Sequence, residues 1–201
     1  MGLNGREGGK PRLMIIIASI REGRAGLPVG QWFERVAREH GGFEVTVADL
    51  KEIDLPLMTE PNHPRLRKYT QSKTWEWSER VDAADAFVFV MPEYNYGVSA
   101  PLVNAIDYLS QEWKYKPVGL VSYGGVSGGL RAAQHVKQIV TTLDMMPMSK
   151  GVTIQFVARH IEDGVFTPID SHESSAREML DALADWERAL RQLRSPATAA
   201  P

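Results

Sequence analysis

The run from Asp85 to Leu109, DAFVFVMPEYNYGVSAPLVNAIDYL, constrains this chain more than any other. Ala86 to Met91 is an uninterrupted apolar segment of strand length, so both of its faces must be covered. That is the situation of an inner strand in a parallel sheet with helices on either side. The apolar segment stops at a polar, aromatic stretch of Pro92, Glu93, Tyr94, Asn95, Tyr96 and Gly97, and helical spacing resumes after Ser99. Open α/β sheets bind ligands beyond the carboxyl ends of their strands, which makes this stretch the first place to look for a site.

The rest of the chain alternates in the same sense. Leu13 to Ala18 reads as a strand, Ser19 to Gly26 as a loop, and Leu27-Pro28 as a helix start, because proline suits a first turn whose N–H would be unpaired anyway. A helix is expected over Val29 to His40, with Trp32, Phe33, Val36 and Ala37 inward, ending at Gly41-Gly42. Phe43 to Val47 is a second strand. Lys51 to Pro64, with Pro56, Pro61 and Pro64, is expected to lack regular structure and to suit a lid. Leu66 to Ala84 returns to helical spacing, Ser99 is expected to cap the next helix, and Lys116 to Ser122 is a fourth strand. After the glycine-rich turn of Tyr123 to Gly129 come a helix over Leu130 to Leu143 and a fifth strand over Val152 to Val157. The last helix, Ser171 to Leu193, carries Met179, Leu180, Leu183, Trp186 and Leu190 at a 3.6 period. Five strands alternating with helices predict a doubly wound α/β fold: a flavodoxin-like three-layer sandwich on a five-stranded parallel sheet of order 2-1-3-4-5. A single domain over residues 12–194 is expected, between flexible tails at 1–11 and 195–201.

Composition removes several classes of function. The 23 basic against 25 acidic residues leave a formal charge of -2, with no field to attract nucleic acid or an anionic membrane. Without cysteine there can be no disulfide, thiol nucleophile or thiolate metal site. The five histidines are scattered, so no metal site is expected. The segment MGLNGREGGKPR has no apolar signal core, and no apolar run reaches the roughly 18 residues of a membrane span. The expectation is a cytoplasmic protein acting on small molecules. Gly5, Gly8 and Gly9 precede the first strand, whereas a phosphate cradle must follow one.

Three loops should then converge at one crevice. After the first strand, Ser19, Arg21 and Arg24 feed a helix N-terminus, where free N–H groups and the macrodipole favour an anion; two guanidiniums and a hydroxyl suit a phosphate monoester. The alternative is that both arginines are solvated surface charges. After the third strand, Tyr94, Asn95 and Tyr96 offer flat faces and an amide that suit the edge of a planar heterocycle, or an interface. Glu93 reads as a general acid or base, or as a carboxylate that ties the loop down. After the fourth strand, Ser122, Tyr123, Gly124, Gly125, Ser127, Gly128 and Gly129 permit close backbone approach to a ligand, or simply a tight turn. Gly125 to Gly129 also fits the G-x-S-x-G pattern of a serine hydrolase, with Ser127 as nucleophile and Asp144 and His160 downstream. In that reading the arginine loop would have no role.

These residues resemble the NAD(P)H-dependent FMN reductase family, which includes flavodoxin-like quinone, azo-dye and chromate reductases. The resemblance spans about Leu13 to Val157. It is carried by Ala18-Ser19-Ile20-Arg21, similar to a G-S-x-R phosphate loop, and by Pro92-Glu93-Tyr94-Asn95 with Asn104-Ala105-Ile106-Asp107. Ser122 with Gly124, Gly125, Gly128 and Gly129 completes it. Ala18 stands where glycine is usual, Arg24 where a serine is common, Ser99 for a frequent proline and Val103 for a frequent lysine. The resemblance implies FMN as cofactor, NADPH or NADH as co-substrate, and a quinone, azo, nitro, metal-oxyanion or free flavin acceptor. It implies that Ser19, Arg21, Arg24, Gly26 and Leu27 hold the phosphate. Pro92, Glu93, Tyr94, Asn95 and Tyr96, with Ser122, Tyr123, Gly124 and Gly125, would hold the ring. The flavin would perform the redox step, with no catalytic side chain. It further implies a homodimer or dimer of dimers through the 99–110 helix, using Leu102, Val103, Ile106 and Leu109; the other reading of those four is ordinary core. A flavodoxin-like electron carrier is the second reading of the same residues, and the small net charge speaks against it.

Overall fold

In the computed structural model, which describes residues 9–194, the chain lays down β1 (Arg12–Ile17), α1 (Gly26–His40), β2 (Glu44–Asp49) and a single helical turn, α2 (Leu50–Ile53). It continues through α3 (Ser72–Ala83), β3 (Ala86–Tyr94), β4 (Gly97–Val98), α4 (Ala100–Asp107), β5 (Pro117–Tyr123) and α5 (Leu130–Thr141). The short β6 (Met146–Pro147) and β7 (Val152–Ile154), a hairpin of β8 (Ile161–Glu162) and β9 (Val165–Phe166), and α6 (Asp170–Arg194) complete it. Residues 1–8 and 195–201, where tails are expected, lie outside the described residues.

The sheet runs β2-β1-β3-β5 with every pair parallel, as the expected order requires. It has seven strands rather than five. One addition is β4, which turns back antiparallel on β3 through Glu93↔Val98 and Tyr94↔Gly97. The other arises because the position beside β5 is split between β6 and β7. The β6 bonds to β5 end with the Met148 N–H on the Val118 carbonyl at 2.9 Å, and at Gly151 a Cβ would stand 2.9 Å from the Leu120 carbonyl oxygen. Successive side chains of a strand point to opposite faces, and the two cores follow that period. Met14, Ile16, Phe87, Phe89 and Met91 pack under α3, α4 and α5, while Leu13, Ile15, Val88 and Val90 pack under α1 and α6.

Several local expectations are corrected. Lys51 to Pro64 is not wholly irregular: it begins in α2 and ends in a 3₁₀ turn at Pro64–Leu66, and α3 starts only at Ser72. Nor is that segment a free lid. Asn104 of α4 accepts the Met58 N–H at 3.0 Å and donates to the Pro56 carbonyl at 2.8 Å, and the Tyr108 hydroxyl donates to the same carbonyl at 2.9 Å. Ser99 is the residue before α4, but its hydroxyl makes no capping bond. Leu102, Ile106 and Leu109 are buried in the chain's own core, so they are not free for a subunit contact. On α6 the inward stripe runs through Met179, Leu180 and Leu183 and then to Glu187, whose carboxylate pairs with Arg191 and Arg194 at 2.6 Å; Trp186 is turned outward, 41% exposed. Apolar periodicity could not place that stripe, because a carboxylate with two guanidiniums replaces its last apolar member. Among the described residues no helix is long and apolar enough to cross a membrane.

The position of this stripe is measurable by chemical denaturation. Leu183→Ala, which empties a fully buried site, is expected to cost about 2–5 kcal/mol, and Trp186→Ala about 1 kcal/mol or less. The reverse ranking would mean that α6 is rotated on the sheet.

Candidate functional site

The carboxyl ends of β1, β3 and β5 lie side by side, and the loops that follow them meet there. After β1, Ser19 is buried, while Ile20 and Arg21 are exposed. The Ser19 and Tyr94 hydroxyls share a hydrogen bond of 2.9 Å, which joins the first loop to the end of β3. The Arg21 guanidinium lies 5.5 Å from the Tyr94 ring centroid, a cation–π stack. Arg24 is differently employed. Its fork grips both Asp49 carboxylate oxygens at 2.5 Å and donates to the Ser19 carbonyl at 2.7 Å, with only 7% of its side chain exposed. The bonds it donates to Asp49 hold the Arg24 pKa above its ordinary value. Arg24 therefore shapes the loop, and Arg21 is the guanidinium left facing outward.

Helix α1 begins directly behind this loop with no side-chain cap. The first N–H groups of a helix have no intrahelical acceptor, and Pro28 has none to offer, so Gly26 and Leu27 carry the free donors of that turn. Gly26 is required by space: a Cβ there would lie 2.5 Å from the Tyr123 hydroxyl oxygen and 3.2 Å from the Ser19 Cβ. A cleft of about 680 Å³ opens on one side of the loop, lined by Ser19, Arg21, Leu55, Leu57, Tyr94 and Asn104. Another of about 730 Å³ opens on the other side, against Arg24, Leu27, Lys51 and Ile161, and Arg21 lines both.

After β3, Pro92 is buried within the strand, and Asn95 and Tyr96 form the two-residue tip between β3 and β4. Both have positive φ, 50° and 66°, which is the type I′ geometry that matches strand twist. Tyr94 points back to Ser19, whereas Tyr96 is 72% exposed beneath the Arg131 guanidinium, 4.2 Å from its ring centroid. Glu93 has the structural role. Its carboxylate accepts from the Ser127 hydroxyl (2.8 Å), from the Arg131 backbone and guanidinium (3.0 and 2.7 Å) and from the Ala132 N–H (3.4 Å). It thereby caps α5, and its side chain is 7% exposed. Burial pushes its pKa up, but the bonds from Ser127, Arg131 and Ala132 outweigh that and hold it below the usual carboxylate range.

After β5, the Ser122 hydroxyl braces the turn by donating to Gly128 and Val152 carbonyls at 3.1 and 3.4 Å. Gly129, at φ 86°, would place a Cβ 2.6 Å from the Tyr123 nitrogen, so conformation alone demands glycine there. A Cβ on Gly125 would meet nothing within 4 Å, which leaves its outer face open. Neither cleft is lined by this turn. No hydrolytic triad is assembled: Ser127 donates to Glu93, Asp144 pairs with Lys114 at 3.1 Å, and His160 packs on Phe166 and His172. Sequence reasoning missed Asp49, Arg131 and the loop-tying role of Asn104. Asp49 could have been found from its place at the carboxyl end of β2. Arg131 could have been found from its place in the first turn of α5.

Comparison with known proteins gives consistent matches. The family described as NADPH-dependent FMN reductase matches residues 11–158. An NAD(P)H-dependent FMN reductase of Schizosaccharomyces pombe is 31% identical over 180 residues, covering 89% of this chain and 90% of the relative. A quinone reductase of Escherichia coli is 33% identical over 150 residues, covering 70% and 75%. Among solved structures, FerB, a flavoenzyme NAD(P)H:acceptor oxidoreductase of Paracoccus denitrificans, superposes with a TM-score of 0.70 at 21% identity over 89% of this chain and 98% of that one, a likeness of fold.

Glu93 provides a pH test. A carboxyl whose folded pKa is depressed adds stability that is present above its unfolded pKa, near 4, and is lost as pH falls through the folded value. Glu93→Gln is therefore expected to cost about 1–3 kcal/mol at pH 7. The gap to the wild type should close in melts below about pH 4. A gap independent of pH would show that the charge on Glu93 is not what holds α5.

Proposed function

The chain belongs to the NADPH-dependent FMN reductase family, a family of oxidoreductases that use FMN and NAD(P)H, and from that premise we propose its working site and acceptors. Reducing equivalents pass from NAD(P)H through FMN to a small-molecule acceptor: a quinone, azo, nitro, metal-oxyanion or free flavin compound. When bound, FMN supplies the hydride chemistry at its N5. The chain's own residues bind, orient and shield. The observation that carries this reading is the Ser19–Tyr94 hydrogen bond of 2.9 Å, because it locks an anion-type loop to an aromatic hairpin at the carboxyl ends of two adjacent strands.

The residues present fit the group. Gly26 and Leu27 present free N–H groups on an uncapped helix, Ser19 a hydroxyl and Arg21 an outward guanidinium; together they would hold a phosphate monoester. Arg24 contributes indirectly, through its grip on Asp49 and on the Ser19 carbonyl. Pro92 to Tyr96, with Ser122, Gly124 and Gly125, would hold the ring, Gly125 with an open face; Tyr123, buried under the first turn of α1, stands behind the phosphate loop instead. The Lys51 to Pro64 segment, tied to Asn104 and Tyr108, walls the acceptor side. Assembly as a homodimer or dimer of dimers would use the outward side of α4, at Ala100, Val103 and Asp107, since Leu102, Ile106 and Leu109 are spent in the core.

The purified protein, with FMN added if needed, is expected to show bound-flavin absorption bands and to oxidise NAD(P)H in the presence of a quinone. Bound FMN without NAD(P)H oxidation would favour the electron-carrier reading, and no flavin binding would overturn both. Arg21→Ala should weaken FMN binding about 10- to 100-fold, the size of a hydrogen bond to a charged group, and leave riboflavin binding nearly unchanged. Equal losses for both ligands would remove Arg21 from the phosphate site.

A further inference from the structure

The hydroxyl of Tyr123 is buried without a hydrogen-bond partner. Tyr123 ends β5 on the α1 side of the sheet and is 4% exposed. A buried hydroxyl left without a partner destabilises the fold, so its surroundings bear on its purpose. It lies under the first turn of α1, against Gly26, with Ser19, Tyr94 and Arg24 nearby. Arg24 has only donors, and its fork is taken by Asp49 and the Ser19 carbonyl. The hydroxyl that faces it across Gly26 is that of Ser19, which already shares one bond with Tyr94.

A serine hydroxyl has one proton and two lone pairs. If the Tyr94 and Tyr123 phenols both donate to Ser19, its lone pairs are filled and its own proton must find an acceptor outside the pair. Tyr123 lies behind Ser19 under the first turn of α1 and Tyr94 is already bonded to it, so that acceptor is whatever occupies the loop at the N-terminus of α1. Burial pushes the Tyr123 pKa up, so the phenol keeps its proton to donate.

We propose that Tyr123 is a positioning residue which, acting through Ser19, makes the Ser19 hydroxyl an obligate donor and so selects a ligand carrying an acceptor-only phosphate over the same ligand without one. This rests on the FMN reading above and deepens it: the chain distinguishes FMN from riboflavin partly from β5, a strand that contributes no charge to the loop. The hydroxyl stays unpaired until the phosphate draws the Ser19 proton outward and frees a lone pair for Tyr123.

The test is a double-mutant cycle on the full-length protein, with FMN and riboflavin affinities read by flavin fluorescence for the wild type, Tyr123→Phe, Ser19→Ala and the double variant. Tyr123→Phe is expected to weaken FMN about 5- to 10-fold, one hydrogen bond's worth, with riboflavin unchanged. In the Ser19→Ala background the same change should have no effect on FMN. The phosphorus NMR signal of bound FMN should shift in Tyr123→Phe. The apo variant should melt at or above the wild-type temperature, because an unpaired buried hydroxyl has been removed. Equal losses for FMN and riboflavin, no loss for FMN, a loss that persists without Ser19, or a lower apo melting temperature would each overturn the inference while leaving the flavin reading intact. A wild type that does not bind FMN would overturn both.

Discussion

Everything at the working end depends on β3 being buried on both faces. Ala86 to Met91 are all inaccessible, and their side chains alternate between the two cores. Phe87 and Phe89 meet Trp113 edge-on under α3 and α4, while Val88 and Val90 meet the layer of α1 and α6. With β1 on one side and β5 on the other, the backbone donors and acceptors of the strand are consumed by the ladder. Fully burying side chains of this size contributes about 1.5–3 kcal/mol each, so the strand is anchored along its length and chemically silent. Only its carboxyl end can meet a ligand, and the three loops gather there for that reason.

Two polar clamps flank that end and leave the outward groups free. On the β5 side, Glu93 fastens the hairpin to the N-terminus of α5 and also draws in Ser127 and Arg131. On the β1 side, Arg24 and Asp49 form a nearly dry bidentate pair that also holds the Ser19 carbonyl. Breaking a buried pair by removing one partner costs about 3–5 kcal/mol, since the other charge is left uncompensated. The loop is thus rigid before any ligand arrives, and association need not supply the ordering of Ser19 or of the α1 terminus. Arg21, which among the described residues is held by its stack on Tyr94, remains the adaptable charge.

The strand and helix pattern was legible because hydrophobic period and proline or glycine punctuation are local properties. Alternation pointed to a doubly wound sheet, and five strands fitted the flavodoxin-like order, which the run β2-β1-β3-β5 follows; Pro92-Glu93-Tyr94-Asn95 pointed to the carboxyl end of β3. What was not legible depended on pairings between residues far apart in the chain. Arg24 reads as a free cation until Asp49, 25 residues on, is brought against it. Lys51 to Pro64 reads as a lid until Asn104 and Tyr108 are seen holding Pro56 and Met58. Trp186 reads as part of the inward stripe until Glu187, closed on by Arg191 and Arg194, takes that place and Trp186 turns outward. In each case a side chain's chemical type was plain, and its partner was set by tertiary packing.

The hairpin tip shows how the clamps and the site are connected. Asn95 and Tyr96 both sit at positive φ, a conformation that costs a residue with a Cβ about 1–2 kcal/mol, and least for asparagine. Tyrosine has no such exemption, and glycine would relieve the strain at once. Glycine would also remove the ring that the Arg131 guanidinium covers at 4.2 Å, and Arg131 is the residue whose backbone and side chain both hold Glu93. The strain at Tyr96 is therefore offset by a stack that belongs to the same network as the α5 cap. Because the tip and the cap are one mechanical unit, the aromatic faces at the mouth of the crevice are set by an ion pair behind them, and not by the loop's own preferences.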